Sequence, residues 1–141
     1  MVYLTRKAEF AASHYYHNPA LTAEENQRLF GKCNNPNGHG HNYLLEVTIK
    51  GEIDPRSGFV VDLKDLKQIL DEEVVQPMDH RFLNYEVEPF QTVVPTAPNV
   101  AREIWRRIQR RIDGTSVKLA KVRLFEGGDQ YVDVLPGDYA A

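Results

Sequence analysis

Cysteine and histidine crowd one short stretch of this chain, GKCNNPNGHGHNY at residues 31–43, where the sole cysteine, Cys33, stands six positions before His39-Gly40-His41. Side chains in an extended strand recur on one side at every second residue, so His39 and His41 face the same way, with Gly40 leaving the space between them clear. Two converging imidazoles are the beginning of a zinc site. A third from a neighbouring strand would complete the three-ligand set of a catalytic zinc, with a fourth position open to water or substrate. His14, at the end of the first strand-like segment, is the candidate, whereas His17 in HYYHNPA reads as a loop residue. Cys33 keeps three readings. It could close the tetrahedron as a fourth ligand, act as a base or nucleophile, or fill the interior inertly. The polar, turn-rich residues around it argue against filler, and spacing does not separate ligand from base.

Two further sites carry chemical potential. Asp79-His80 follows Pro77, and an aspartate beside an imidazole fixes its tautomer and stabilises its charged form. The plain alternative is a chance pair in a turn. Glu126 ends a strand before Gly127-Gly128 and could hold an amidine-like edge with its carboxylate, or simply be a solvated strand end.

The elements that must position these groups follow from periodicity. Val2–His14 reads as a strand. Thr22 and Glu25 have capping-box spacing for a short helix stopped by Gly31. From 41 to 50, Tyr43, Leu45, Val47 and Ile49 share one face of a second strand. GEIDPRSG is turn chemistry, and 59–61 reads as a short returning strand. Asp62 caps a helix with Leu63, Leu66, Ile69, Leu70 and Val74 inward, ended by Pro77. A second long helix opens at Thr96–Asn99, carries the stripe Val100, Ala101, Ile104, Trp105, Ile108 and Ile112, and stops at Gly114. Strands over 117–126 and 129–135 close the chain through a two-residue Gly127-Gly128 turn. Strands grouped apart from helices predict an α+β fold, a four-stranded antiparallel sheet with two helices packed on one face. Both outer strands lack protective prolines, which favours self-association through the sheet edges.

Composition bounds the function. A chain of 141 residues suits one domain, 1–141. A formal charge of −3 gives no general attraction to nucleic acid or anionic membrane, and no apolar run is long enough for a membrane span. The N-terminus alternates and lacks a signal-peptide block. A lone cysteine fits a reducing, cytoplasmic setting.

Together the motifs resemble the 6-pyruvoyltetrahydropterin synthase family over essentially the whole chain. They are the His near the end of the first strand, Cys-x5-His-Gly-His, Pro-x-Asp-His, PTxxN at 95–99, and a glutamate before the last hairpin. The resemblance implies the tunnelling fold, in which sheets of neighbouring subunits join into a barrel, usually a homohexamer built as a dimer of trimers. It implies zinc held by His14, His39 and His41, with Cys33 outside the coordination sphere as the proton-abstracting base. Asp79 and His80 would serve beside it, from an adjacent subunit. Glu126 would anchor the pterin, and Thr96 would share that pocket. The implied reaction is elimination of triphosphate from 7,8-dihydroneopterin triphosphate, with internal redistribution of hydrogens to give 6-pyruvoyltetrahydropterin. Two positions depart from the family pattern: Pro98 stands where many relatives carry an acidic residue, and Gly127 where threonine is usual.

Two rivals remain at this level. The related 6-carboxytetrahydropterin synthase of queuosine biosynthesis uses the same fold, metal and substrate, but often has a shorter Cys-to-His spacer; the five residues here favour the pyruvoyl branch. A non-catalytic zinc-stabilised binding module would use Arg102, Arg106, Arg107, Arg110 and Arg111, although a solvated helix face explains them more simply. The absence of His-Glu-x-x-His argues against a zinc hydrolase.

Overall fold

A computed structural model describes residues 1–138. Strand β1 (Val2–His14) leads through α1 (Ala23–Phe30) and a short 3₁₀ turn to β2 (His39–Gly51). Then follow α2 (Leu63–Leu70), a π-type turn over Asp71–Val75, α3 (Gln76–Met78), β3 (Arg81–Phe82) and α4 (Leu83–Glu86). The chain continues with α5 (Ala97–Ile112), β4 (Lys118–Glu126) and β5 (Tyr131–Val134). The class is α+β, as the sequence implies.

The sheet departs from the expected four antiparallel strands. Among the described residues it has five, in the order β3-β1-β2-β4-β5, and β3 runs parallel to β1 at Ala12↔Arg81 and Ser13↔Phe82. A two-residue strand carries no period for sequence to reveal. It exists because the chain hooks onto the β1 edge just before it. The His80 N–H donates to the Ala11 carbonyl at 2.6 Å, and the Ala11 N–H donates to Asp79 Oδ1 at 2.8 Å.

Residues 59–61 form no strand either. Asp54 closes this loop on itself, its N–H donating to the Phe59 carbonyl at 2.8 Å, and Val60 and Val61 pack against the edge of the core instead of pairing. The final turn is also longer than two residues: Phe125 pairs with Tyr131, and the Glu126 N–H donates to the Gln130 carbonyl.

Alternation in the strands puts Phe10, Leu45, Val47, Val122 and Leu124 on the face covered by helices, where they meet Leu66, Leu70, Val74, Val100, Ile104 and Ile108 in one buried core. Leu63, expected inward, is exposed at the first turn of α2. Pro77 does not end that helical run, which continues to Met78. A proline lacks the N–H that would bond the carbonyl four residues back, and Arg107 on α5 supplies the donor instead, reaching the Glu73 carbonyl at 3.1 Å. Caps fall where the residue types place them: Thr22 and Glu25 form the capping box of α1, Asp62 caps α2, and Thr96 caps α5 with Pro98 in its first turn.

Candidate active site

The β1–β2 register places His14 directly across from His39, and Ala12 across from His41. Side-chain alternation then brings His14, His39 and His41 to one point on the helix-covered side, with their ligand nitrogens all within 4.8 Å of one another. His14 is fully buried. Its Nδ1–H donates to the Pro95 carbonyl at 2.7 Å, which leaves Nε2 as the lone-pair nitrogen aimed at His39 Nε2, 3.1 Å away. Burial, followed by the neighbouring imidazoles, pushes the His14 pKa down to about 4 and lowers that of His39 as well. Neutral imidazoles are what a cation requires. His41 Nε2 is buried with no hydrogen-bond partner. A tautomer held by a backbone carbonyl, an orphaned ring nitrogen and three inward-facing imidazoles fit a zinc ion.

Glycine at position 40 is not demanded by crowding, since a Cβ there would meet nothing closer than the Ala12 carbonyl at 3.5 Å. The glycine with a steric reason is Gly38. Its φ is +77°, and a Cβ would lie 2.7 Å from the Phe82 ring.

Cys33 sits in the 3₁₀ turn before β2, half-buried. The Tyr16 N–H donates to the Cys33 carbonyl at 2.7 Å, and Asn34 Nδ2 donates to the Tyr16 carbonyl at 2.8 Å. The cysteine turn is thereby clamped to the exit of β1, two residues beyond His14. Its sulfur does not belong to the three-residue group of converging ligand atoms.

Glu126 on β4 is registered against Tyr43 of β2 and is only 8% exposed. Its Oε1 approaches His41 Nε2 at 3.7 Å, while Oε2 is buried without a partner. That carboxylate helps line a cavity of about 170 Å³ with Tyr16, Thr96, Pro98, Gln130 and Tyr131. A buried acceptor with an unused oxygen in a small cavity suits a ligand edge rich in N–H donors. Burial, then the Glu126 charge, raises the Tyr16 pKa to about 12; the same two causes raise that of Tyr43. Both phenols therefore remain neutral.

Asp79 and His80 form a hydrogen-bonded pair at 2.8 Å, Oδ2 to Nδ1, and the imidazole is 84% exposed. The Ala11 N–H, then His80, hold the Asp79 carboxyl below its usual range. His80 adopts a left-handed backbone with φ of 62°. It opens onto a broader cavity of about 510 Å³ bordered by Ser13, Gly40, Arg81 and Phe82. Ser13 and Gly40 occupy strand positions alternate to those of His14, His39 and His41. His41 also borders this cavity, but neither Asp79 nor His80 belongs to the converging group of His14, His39 and His41.

Sequence reasoning placed Thr96 with Glu126, and the two do share a cavity. It missed Tyr16, Tyr43 and Gln130. For Tyr43 a signal existed: it stands two residues after His41 and so continues the same face of β2.

Fold and site define a class: an α+β protein with a three-histidine centre able to hold a metal, beside a carboxylate-floored pocket for a small molecule. Residues 3–136 match the family model described as 6-pyruvoyl tetrahydropterin synthase. The chain belongs to that family. It is 46% identical over 129 residues to the 6-pyruvoyl tetrahydrobiopterin synthase of Homo sapiens, covering 92% of this chain and 88% of that one. The Drosophila melanogaster protein of the same name is 40% identical over 112 residues, covering 79% and 67% respectively. The solved structure of Caenorhabditis elegans 6-pyruvoyl tetrahydropterin synthase superposes with a TM-score of 0.89 at 40% identity, with 96% of both chains covered.

Proposed function

We propose that this chain is a zinc-dependent 6-pyruvoyltetrahydropterin synthase, a carbon–oxygen lyase acting on 7,8-dihydroneopterin triphosphate. The observation that carries the reading is the adjacency of the triad His14, His39 and His41 to a cavity in which Glu126 presents an unpartnered buried oxygen. Glu126 accepts hydrogen bonds from the 2-amino group and a ring N–H of the pterin, and Thr96 borders the ring. The same anchor orients the side chain of the substrate toward the histidines. Zinc, when bound, supplies a Lewis acid that polarises the side-chain hydroxyls. The thiolate of Cys33, held in place by the Tyr16–Asn34 clamp, removes a proton from the side-chain carbon, and His80, oriented by Asp79, moves another. Triphosphate leaves as the electrons shift, and no external reductant is needed because the hydrogens redistribute between side chain and ring.

The exposure of His80, and the place of Asp79 and His80 outside the triad's converging group, support a site completed by a neighbouring copy. A charge ladder at one level of the open face supports the same idea. Lys7 pairs with Glu46 at 3.7 Å, Glu46 is registered against Arg123, and Arg123 binds Asp133 at 2.7 and 3.0 Å. The ladder is positive at β1 and negative at β5. A second copy laid edge to edge, β5 against β1, would continue the alternation. We therefore favour a homo-oligomeric barrel of the tunnelling fold, a hexamer as a dimer of trimers, formed by one pterin-synthase-like domain over 1–141. No helix among the described residues is long and apolar enough to cross a membrane; the lone cysteine supports a cytoplasmic setting. Of the five helix arginines, Arg106, Arg107, Arg110 and Arg111 engage Glu103, Glu73 or Glu72, which favours a structural role for this face over phosphate binding.

The test is direct. Zinc-loaded protein is given 7,8-dihydroneopterin triphosphate, and the products are identified. Triphosphate with 6-pyruvoyltetrahydropterin supports the reading; a carboxy-pterin with acetaldehyde assigns the queuosine branch. No turnover with zinc bound assigns a binding module.

A further inference from the structure

We propose that Tyr43 is a positioning residue that ties the metal ligand His14 to the pterin anchor Glu126, so that metal and pterin bind as a coupled pair. The inference rests on the proposed roles of those two residues and goes beyond them. Tyr43 is 1% exposed, and its ring stacks on Phe10 with centroids 4.9 Å apart. Its hydroxyl lies 3.3 Å from His14 Nδ1. That nitrogen carries a single hydrogen, already given to the Pro95 carbonyl at 2.7 Å. The phenol oxygen can accept only the weaker branch of a shared bond from His14, and its own O–H must be donated elsewhere. The acceptor on the same sheet face is Glu126, its direct partner in the β2–β4 register, whose charge lies near enough to raise the phenol's pKa.

The relay we infer runs from the His14 N–H to the Tyr43 oxygen, 3.3 Å away, and from the Tyr43 O–H toward the Glu126 carboxylate registered opposite it. A cation on Nε2 withdraws electron density from the His14 ring, strengthens its N–H as a donor, and so strengthens the next O–H in turn. Glu126 becomes more firmly oriented, with Oε2 left for the ligand. By reciprocity, a pterin on Glu126 tightens the metal site. The ring is not required for this by its packing alone, because Phe10 would hold a phenylalanine in the same place.

The experiment compares wild type with Tyr43→Phe. Zinc affinity is measured by chelator competition, with and without saturating 7,8-dihydroneopterin. Wild type should bind zinc more tightly when the pterin is present. Tyr43→Phe should weaken zinc binding by about tenfold and bring the ratio with and without pterin to near one. Phe10→Leu, which disturbs packing and keeps the hydroxyl, should lower the melting temperature and retain the ratio. Should Tyr43→Phe keep the wild-type ratio, or Phe10→Leu lose it, the inference is overturned while the proposed function stands. A wild-type protein that binds neither zinc nor pterin overturns both.

Discussion

Glu126→Gln should make the metal-free protein more stable and the enzyme nearly unable to hold its substrate. Among the described residues the buried Oε2 has no hydrogen-bond partner, and its sister oxygen approaches His41 at 3.7 Å. An unsatisfied buried polar atom costs about 1–3 kcal/mol, more when charged. A neutral amide of the same shape removes the charged part of that penalty, so we expect a gain of about 1 kcal/mol. In a chain of this size that is a rise of roughly 2–8 °C in melting temperature. The same change is damaging once ligand is present. Two N–H donors of the pterin lose a charged acceptor, each such bond being worth about 1.5–3 kcal/mol. The amide NH2 also opposes one of them. The affinity for 7,8-dihydroneopterin should fall by at least ~100-fold. Thermal melts of chelator-stripped protein read the first effect, and calorimetric titration of zinc-loaded protein reads the second. Pterin affinity within about threefold of wild type would refute the anchor role, since a single charged hydrogen bond already accounts for more. A lower melting temperature would refute the argument that the orphaned oxygen is a penalty.

Three other outcomes are expected. Cys33→Ala should retain full zinc stoichiometry by metal analysis while turnover is abolished; loss of zinc from the folded variant would make the cysteine a ligand. In metal-free protein the His14 pKa of about 4 lies below the ordinary value of 6.5, so between those values the unfolded chain binds more protons than the folded one. Stability should be fully present above about pH 6.5 and decline by roughly 3 kcal/mol as pH falls to 4; pH-dependent melts that keep this slope in His14→Asn would refute the assignment. Lys7→Glu and Asp133→Lys should each weaken self-association in sedimentation experiments, with the double variant restoring it; singles that assemble like wild type would remove the ladder from the interface.

The residues themselves determined much of this protein. Alternation in 2–14 and 41–50 marks the two long strands because each buries one face, and a buried face tolerates no slip in register. Thr22, Asp62 and Thr96 announce their helices because an exposed N–H needs a side-chain oxygen whatever the tertiary fold. His39 and His41 read as a pair for the same local reason. Other features required the folded chain. The strand β3 depends on hydrogen bonds to and from distant Ala11, whereas the loop at 59–61 is closed by Asp54 and the turn after Glu126 by Gln130. The continuation of helix past Pro77 depends on Arg107, thirty positions further along. The register of β1 against β2 is what brings His14, already preferred to His17 for its place at the strand end, to the other two imidazoles. And only the folded chain leaves Asp79 and His80 outside that converging group. Local residue types specify which groups are available for chemistry; which of them meet is set by long-range pairing, whose partners a local pattern does not encode.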